Sequence, residues 1–416
     1  LFIQTLFHNT YLGFFVLVMI WLAIPNLDAL GMSSMVFKFN QDPQPDFFLK
    51  YSDLSQFGDT LKSFYFIKSY WFIFGILLAC LTMVSWQRTH INSFRDRIKT
   101  GIYRFRGRLL WVFCFAASAF LAAGYVLFKI EKYPENSAGE AISEHEILNR
   151  FKANYGQLKS IKQPRIRSLF IQLDLFPETR EFKAHGTYVL VNHQTSAIDT
   201  LLVKTGYDEI TSLTAGSPWS ALTVDSFFKF SIYKLERKLE PGDSISLKFE
   251  IRNKPNSFLV QHSNVLENGS YLKSDILPRI GYFAKDPVLL NNSSKIYNHY
   301  QRYDEDLVDF ETVISTSRDQ TAIAPGTLIK KWEDHGRQFF HYKMDKKIKL
   351  VLGFNSGRYA LYSDQYKGVD LKIFHHPTHT YCLTSMINGL KSSLDYNTMY
   401  FGPYPHEDIK IVEFSR

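Results

Sequence analysis

Two stretches hold the residue types that metal and hydrolytic chemistry use. In Ser-Glu-His-Glu-Ile-Leu-Asn-Arg, residues 143–150, His145 and Glu146 stand where an H-E-x-x-H zinc helix would begin, but position i+4 is Asn149. Two histidines at i and i+4 share a helix face and one zinc ion; an amide there is a poor ligand. The surrounding segment is polar and reads as exposed helix charge. The densest histidine cluster is His-His-Pro-Thr-His, residues 375–379. His375 and His379 have the i, i+4 spacing, yet Pro377 between them blocks a regular helix. The cluster reads as a strand end carrying surface histidines.

Other hydrolytic signatures fail on context. Ser244 in Pro-Gly-Asp-Ser follows a turn and opens an amphipathic run, so turn chemistry accounts for it. Gly-Phe-Asn-Ser-Gly-Arg-Tyr, residues 353–359, misses the spacing of a nucleophile elbow. No G-x-x-x-x-G-K-[ST] loop is present. Asn268 and Asn292 open glycosylation sequons, a pattern with many chance matches. No residue of this chain is assigned a catalytic, cofactor-binding or metal-ligating role.

The elements that position these residues begin in lipid. Apolar runs within 1–26, at 69–86 and at 109–128 approach the ~20 residues that cross a bilayer. The last two flank residues 87–108, where Arg88, Arg95, Arg97, Lys99, Arg104, Arg106 and Arg108 face a single acid, Asp96. This block accounts for most of the chain's net charge of +8, which argues for a topology signal and against a nucleic-acid surface. Loop 87–108 is therefore expected in the cytoplasm, and the acid-rich loop 27–65 and residues 131–416 outside, in a multi-pass protein of the cell (inner) membrane. Ala119 and Ala123 have a spacing that lets helices approach closely. Cys80 and Cys114 sit in apolar runs and Cys382 stands alone, which gives no disulfide framework. The chain opens on Leu1 and closes in a strand-like run, so further sequence is expected at both ends.

Beyond residue 165 the period becomes two. Ile171, Leu173 and Leu175 alternate with polar neighbours, as do Ile245, Leu247, Phe249 and Ile251. Residues 327–344 read as a hairpin around Asp334-His335-Gly336. Then Leu383, Met386, Ile387, Leu390 and Leu394 mark one helix face, between strand-like runs at 369–374 and 409–414. Strand–helix–strand predicts the start of an α/β domain.

In order and pattern, residues 164–203, 318–344 and 369–414 resemble the aminopeptidase N family of zinc metallopeptidases. The first two resemble strands of its β-saddle domain. The third is similar to the strand, helix and Pro-Tyr-Pro turn that begin its thermolysin-like catalytic domain. With the spans and the basic loop, the chain resembles the branch fused behind an ABC transporter permease. The resemblance implies an α + β protein: transmembrane helices, then an antiparallel β-saddle or sandwich, then the start of a thermolysin-like α/β domain. The implied boundaries are 1–130 for a membrane domain with three transmembrane helices, 131–165 for a polar helical linker, 166–366 for the saddle and 367–416 for the truncated catalytic start.

The implied function is a membrane-anchored extracytoplasmic zinc aminopeptidase, present here as its non-catalytic N-terminal part. The alternative is a permease subunit whose peptidase-like outer domain binds or gates without hydrolysis. The family's G-x-M-E-N loop, H-E-x-x-H helix and downstream glutamate ligand do not occur and are expected after Arg416. The Arg-Phe-Pro-Cys-like run that should fall near residues 277–294 is absent too. Zinc is expected for the full-length protein and none for this chain. The implied partners are the lipid bilayer, a peptide substrate and a cytoplasmic ATP-binding transporter subunit, with no nucleic acid.

Overall fold

The computed structural model describes residues 1–7, 9–26, 51–54, 56–86, 105–131, 144–206, 209–254, 264–282 and 307–414. Most of the basic block and the Asn292 sequon lie outside them. The protein is α + β and divides into two compact units, Leu1–Lys50 with Thr60–Ala138, and Tyr51–Asp59 with Gly139–Arg416.

The first unit is helical: α1 (Phe2–Leu6), α2 (Thr10–Ala23), α3 (Gly58–Ser85) and α4 (Arg108–Glu131). Two stretches, Leu61–Ser85 and Arg108–Lys129, are long and apolar enough to cross a membrane. The expected first span falls short. Its 14 residues rise about 21 Å against a hydrocarbon core of about 30 Å. The Asn9 side chain caps it by accepting from Tyr11 N–H, and a 3₁₀ turn at Ile24–Asn26 follows it.

Helices α3 and α4 meet through aromatics. Tyr70 stacks on Phe120 with centroids 4.5 Å apart, and Ile67 and Leu127 are buried beside them. Gly124 lies against the same ring: a Cβ there would be 3.4 Å from Tyr70, about van der Waals contact. Of the expected small pair, Ala123 packs at this contact. The hydroxyls of Thr82 and Ser118 donate back to Leu78 O and Phe115 O, so these apolar helices carry them satisfied.

The second unit opens with α5 (Glu144–Tyr155), followed by β1 (Arg165–Phe176), β2 (Glu181–Val191), β3 (Ile198–Lys204), β4 (Glu209–Ala215), β5 (Trp219–Asp225), β6 (Phe230–Leu239), β7 (Ser244–Asn253), β8 (Ser270–Lys273) and β9 (Arg279–Ile280). Then come β10 (Asp309–Ser317), β11 (Thr321–Ile323), β12 (Thr327–Asp334), β13 (Arg337–Lys343), β14 (Gly353–Gly357), β15 (Ala360–Tyr366), β16 (Val369–His375), α6 (Leu383–Phe401) and β17 (Asp408–Val412).

A seven-stranded sheet has the order β12-β13-β10-β1-β2-β7-β4, and a four-stranded sheet the order β5-β6-β3-β9. Two three-stranded sheets are β11-β14-β8 and β15-β16-β17. Pairing in the large sheet is antiparallel except between β1 and β10, which run parallel with Leu173 opposite Ile314. That pairing joins strands with more than 130 residues between them. A local alternation cannot signal it.

The period-two residues form the core. Ile171, Leu173 and Leu175 are fully buried, and Leu247 and Ile251 join them from β7. Gly186 faces Phe249 across the β2–β7 pairing, where a Cβ would sit 2.0 Å from the ring. Buried hydroxyls find acceptors: Tyr188 Oη donates to Pro278 O, Tyr342 Oη to Ala322 O and Thr312 Oγ1 to Ile171 O.

Helix α5 is more than a solvated linker. Glu146 and Arg150 pair on its exposed side. Its other side seats Phe151, which is buried with Phe228 and Phe230 of the four-stranded sheet region. Lys204 Nζ lies 5.1 Å over the Phe151 ring, and Tyr155 Oη donates to Asp225 Oδ2 at 2.5 Å.

Candidate functional site

The histidine cluster and the chain's last strand come together at one edge of the β16–α6–β17 segment. Strands β16 and β17 are parallel, with Phe374 opposite Val412, so their C-terminal ends lie side by side. In open α/β sheets ligands bind beyond this end of the strands. Helix α6 returns the chain between them. Leu383, Ile387 and Leu394 are buried against Val369, Leu371 and Ile373, with Leu390 partly so; Met386, the fifth residue of the predicted face, is exposed.

Residues His376–His379 form a tight turn closed by His379 N–H donating to His376 O at 2.9 Å, with Pro377 in the position where its fixed φ suits the turn. Glu413 binds both ends of it. Its Oε2 accepts His376 N–H at 2.7 Å, and its Oε1 lies 2.7 Å from His379 Nδ1. His376 Nδ1 lies 2.7 Å from Thr378 Oγ1, and the His376 and His379 rings are 4.9 Å apart. His375 differs from the surface residue expected: it is buried, with Nδ1 held 2.8 Å from His376 O.

Behind this edge lies Tyr359. Burial first, and the Glu413 charge second, push its phenol far above the ordinary range. Its hydroxyl is buried with no hydrogen-bond partner among the described residues. Gly357 admits the ring: a Cβ there would be 2.8 Å from Tyr359 and 3.1 Å from Asn268 Oδ1. Asn268 donates to Leu54 O and accepts from Arg358 N–H. Both ends of its buried amide are hydrogen-bonded, so the residue is accounted for structurally.

Strand β17 is tied to the rest of the unit by Lys410. Its Nζ donates to Ala324 O at 3.1 Å and to Gly326 O, faces Asp408 at 3.2 Å and lies over the Tyr342 ring. Burial holds the Lys410 ammonium below its ordinary pKa, with Asp408 opposing that shift. Gly326 makes the approach, with φ +97° and no room for a Cβ beside Lys343.

The remaining sequence candidates are structural. Asn149 is exposed on α5, and the His145 side chain lies outside the described residues. Ser244 is exposed at the start of β7. Ser356 is fully buried, with its hydroxyl 2.7 Å from both Gln320 Oε1 and Thr316 Oγ1. A depression of about 590 Å³ is lined by Glu178, Ser317, Arg318, Asp319, Gly336 and Arg337. Its charges are paired: Glu178 accepts from Ser317, Asp319 faces Arg358, Arg318 faces Glu333, and Arg337 donates to Leu175 O.

Among the described residues no three His, Cys, Asp or Glu side chains are grouped to hold a metal ion. They do not fit a zinc-peptidase centre. Glu413 and Tyr359, which organise the edge, carried no signal in the sequence. Only the parallel pairing of β16 with β17 makes Glu413 a neighbour of the histidines.

No protein-family description and no curated protein matches the sequence. Among solved structures the fold is similar to a mutant two-domain M1 zinc metallopeptidase bound to L-tryptophan. The identity is 13%, the match covers 60% of this chain and 57% of that chain, and the TM-score is 0.45. It is also similar to the M1 zinc metallopeptidase from Deinococcus radiodurans, at 12% identity, with 60% and 56% covered and a TM-score of 0.43. A mutant of that bacterium's enzyme bound to a Tyr-Ser-Ala substrate gives 13%, 60%, 56% and 0.44. The chain thus spans less than two thirds of the structures it matches. Its structural neighbours are M1 zinc metallopeptidases at low sequence identity.

Proposed function

We propose that residues 1–416 are the membrane-anchored, non-catalytic N-terminal part of an extracytoplasmic zinc aminopeptidase. The carrying observation is the β16–α6–β17 segment, a parallel βαβ unit that follows the antiparallel sheets and is held to them through Lys410. This is the order of elements that the family resemblance implies. In this reading the sheets form a wall of a peptide-binding cavity, and zinc is held by residues outside 1–416. The two apolar helices supply the anchor. The cytoplasmic placement of loop 87–108 rests on its basic residues.

The test is to produce the protein from its complete reading frame in membranes and follow release of N-terminal residues from short peptides. Chelator-sensitive release that zinc restores is expected. Zinc-saturated, folded protein that releases no amino acid would reject the peptidase reading.

A second reading has its own observation. Trp111, Phe115 and Leu121 of α4 are 78%, 77% and 71% exposed, so the helix pair buries little of its apolar surface. Further helices on those faces would suit a permease subunit whose outer domain binds or gates. Co-purification of a cytoplasmic ATP-binding subunit would favour it, and its loss on neutralising the arginines of 87–108 would locate the docking site.

A further inference from the structure

We propose that His376 and His379 form a two-imidazole site for a divalent transition-metal ion, with Glu413 orienting one of the ligands. The inference is independent of the peptidase reading and needs only the turn at the end of β16.

Three observations carry it. First, both imidazoles are held from the Nδ1 side: His379 by Glu413 Oε1 at 2.7 Å and His376 by Thr378 Oγ1 at 2.7 Å. Each Nε2 makes no hydrogen bond to a described residue, so each ring presents one nitrogen. A histidine ligand is commonly held in this way, its other nitrogen donating to a carboxylate or another oxygen that fixes tautomer and ring orientation. Binding at Nε2 of His376 requires its proton on Nδ1, donated to Thr378 Oγ1; the longer 3.4 Å contact from Thr378 N–H is given up.

Second, the spacing fits. An imidazole nitrogen binds Zn²⁺ at about 2.0–2.1 Å, which puts the ring centroid about 3.2 Å from the metal, so two ligands at adjacent positions have centroids about 4.5–5.2 Å apart. The rings here are 4.9 Å apart.

Third, the turn is preorganised. Glu413 spans it by accepting His376 N–H as well as facing His379, and the 2.9 Å turn hydrogen bond closes it. The site is partly exposed, with the His379 side chain 20% and Glu413 27% accessible, so water would complete the coordination. Imidazole ligands with water select Cu²⁺, Ni²⁺ or Zn²⁺ over Mg²⁺ or Ca²⁺.

The test titrates Cu²⁺ into the full chain in detergent, with calorimetry for affinity and electron paramagnetic resonance for ligand type. One equivalent should bind, with hyperfine structure from nitrogen. His376→Ala and His379→Ala should each weaken binding at least tenfold. Glu413→Gln, which touches the metal only through His379, should weaken it about tenfold. His335→Ala, in the distant β12–β13 turn, should leave it unchanged. His376→Ala keeps the backbone N–H that Glu413 accepts, so it decides the matter even where removing the His379 ring loosens the turn. Absence of stoichiometric binding, or Cu²⁺ affinity in the His376→Ala/His379→Ala double variant within threefold of the parent, would overturn the proposal.

Discussion

Helices α3 and α4 and strands β1 and β7 are built from the same kinds of residue and treat them in opposite ways. In the strands, every second residue is apolar and buried: Leu173, Leu247 and Ile251 have no exposed surface. In α4, Trp111 and Phe115 are more than three-quarters exposed. Exposed apolar surface on this scale is costly in water and costless in hydrocarbon. The contrast teaches that burial inside a unit is the wrong measure of what stabilises the helices. In the proposed reading lipid covers their outer faces, and among the described residues the Tyr70–Phe120 seam is where the two helices bury apolar side chains against each other.

Substitutions sharpen that contrast. The largest effect is expected for Leu173→Ala, at about 2–5 kcal/mol of lost stability, because a fully buried strand residue leaves a cavity. Chemical denaturation of the sheet unit's signal in detergent measures it. Gly186→Ala comes next, at roughly 1–3 kcal/mol by the same measurement, since the new methyl must displace the Phe249 ring.

Tyr155→Phe is expected to act through pH. Burial and then the Asp225 hydrogen bond raise the Tyr155 phenol from 10.0 to about 12. A phenol whose folded pKa is raised adds stability fully present below about pH 10 and lost as pH climbs towards 12. The variant should flatten part of the alkaline loss in melting temperature, with Tyr342 and Tyr359, also raised, supplying the rest. Breaking the exposed Glu146–Arg150 pair with Glu146→Ala should cost only about 0.3–0.5 kcal/mol. Phe115→Ala, on a face of α4 left exposed by the described residues, is expected to leave the unfolding curve of the sheet unit unmoved.

The sequence made some of this plain and concealed the rest for identifiable reasons. Alternation placed Ile171, Leu173 and Leu175 in a core because a strand has a strict two-sided geometry. The helical face of α6 was equally readable, apart from exposed Met386. The turn at His335-Gly336 was visible from composition, and both residues take positive φ. The parallel β1–β10 pairing, the seating of Phe151 on its aromatic neighbours and the meeting of Glu413 with His376 and His379 all join residues distant in the chain. Such contacts depend on tertiary topology, which no local period encodes. The seating of α5 also shows how a polar helix hides one apolar side: Phe151 and Tyr155, with Leu158 of the 3₁₀ turn that follows, are few enough to pass as incidental.

We propose that the two units face different surroundings, the helices in lipid and the sheets on the outer side of the membrane. Cys382 tests it directly, being exposed just before α6; Cys80 is buried, and Cys114, exposed on the apolar helix α4, lies in this reading within the lipid, where an impermeant reagent does not reach. Treating intact cells with a membrane-impermeant maleimide should label the protein at Cys382, and Cys382→Ser should abolish that label. Labelling of Cys382 only after the membrane is permeabilised would put the sheets in the cytoplasm and contradict the account.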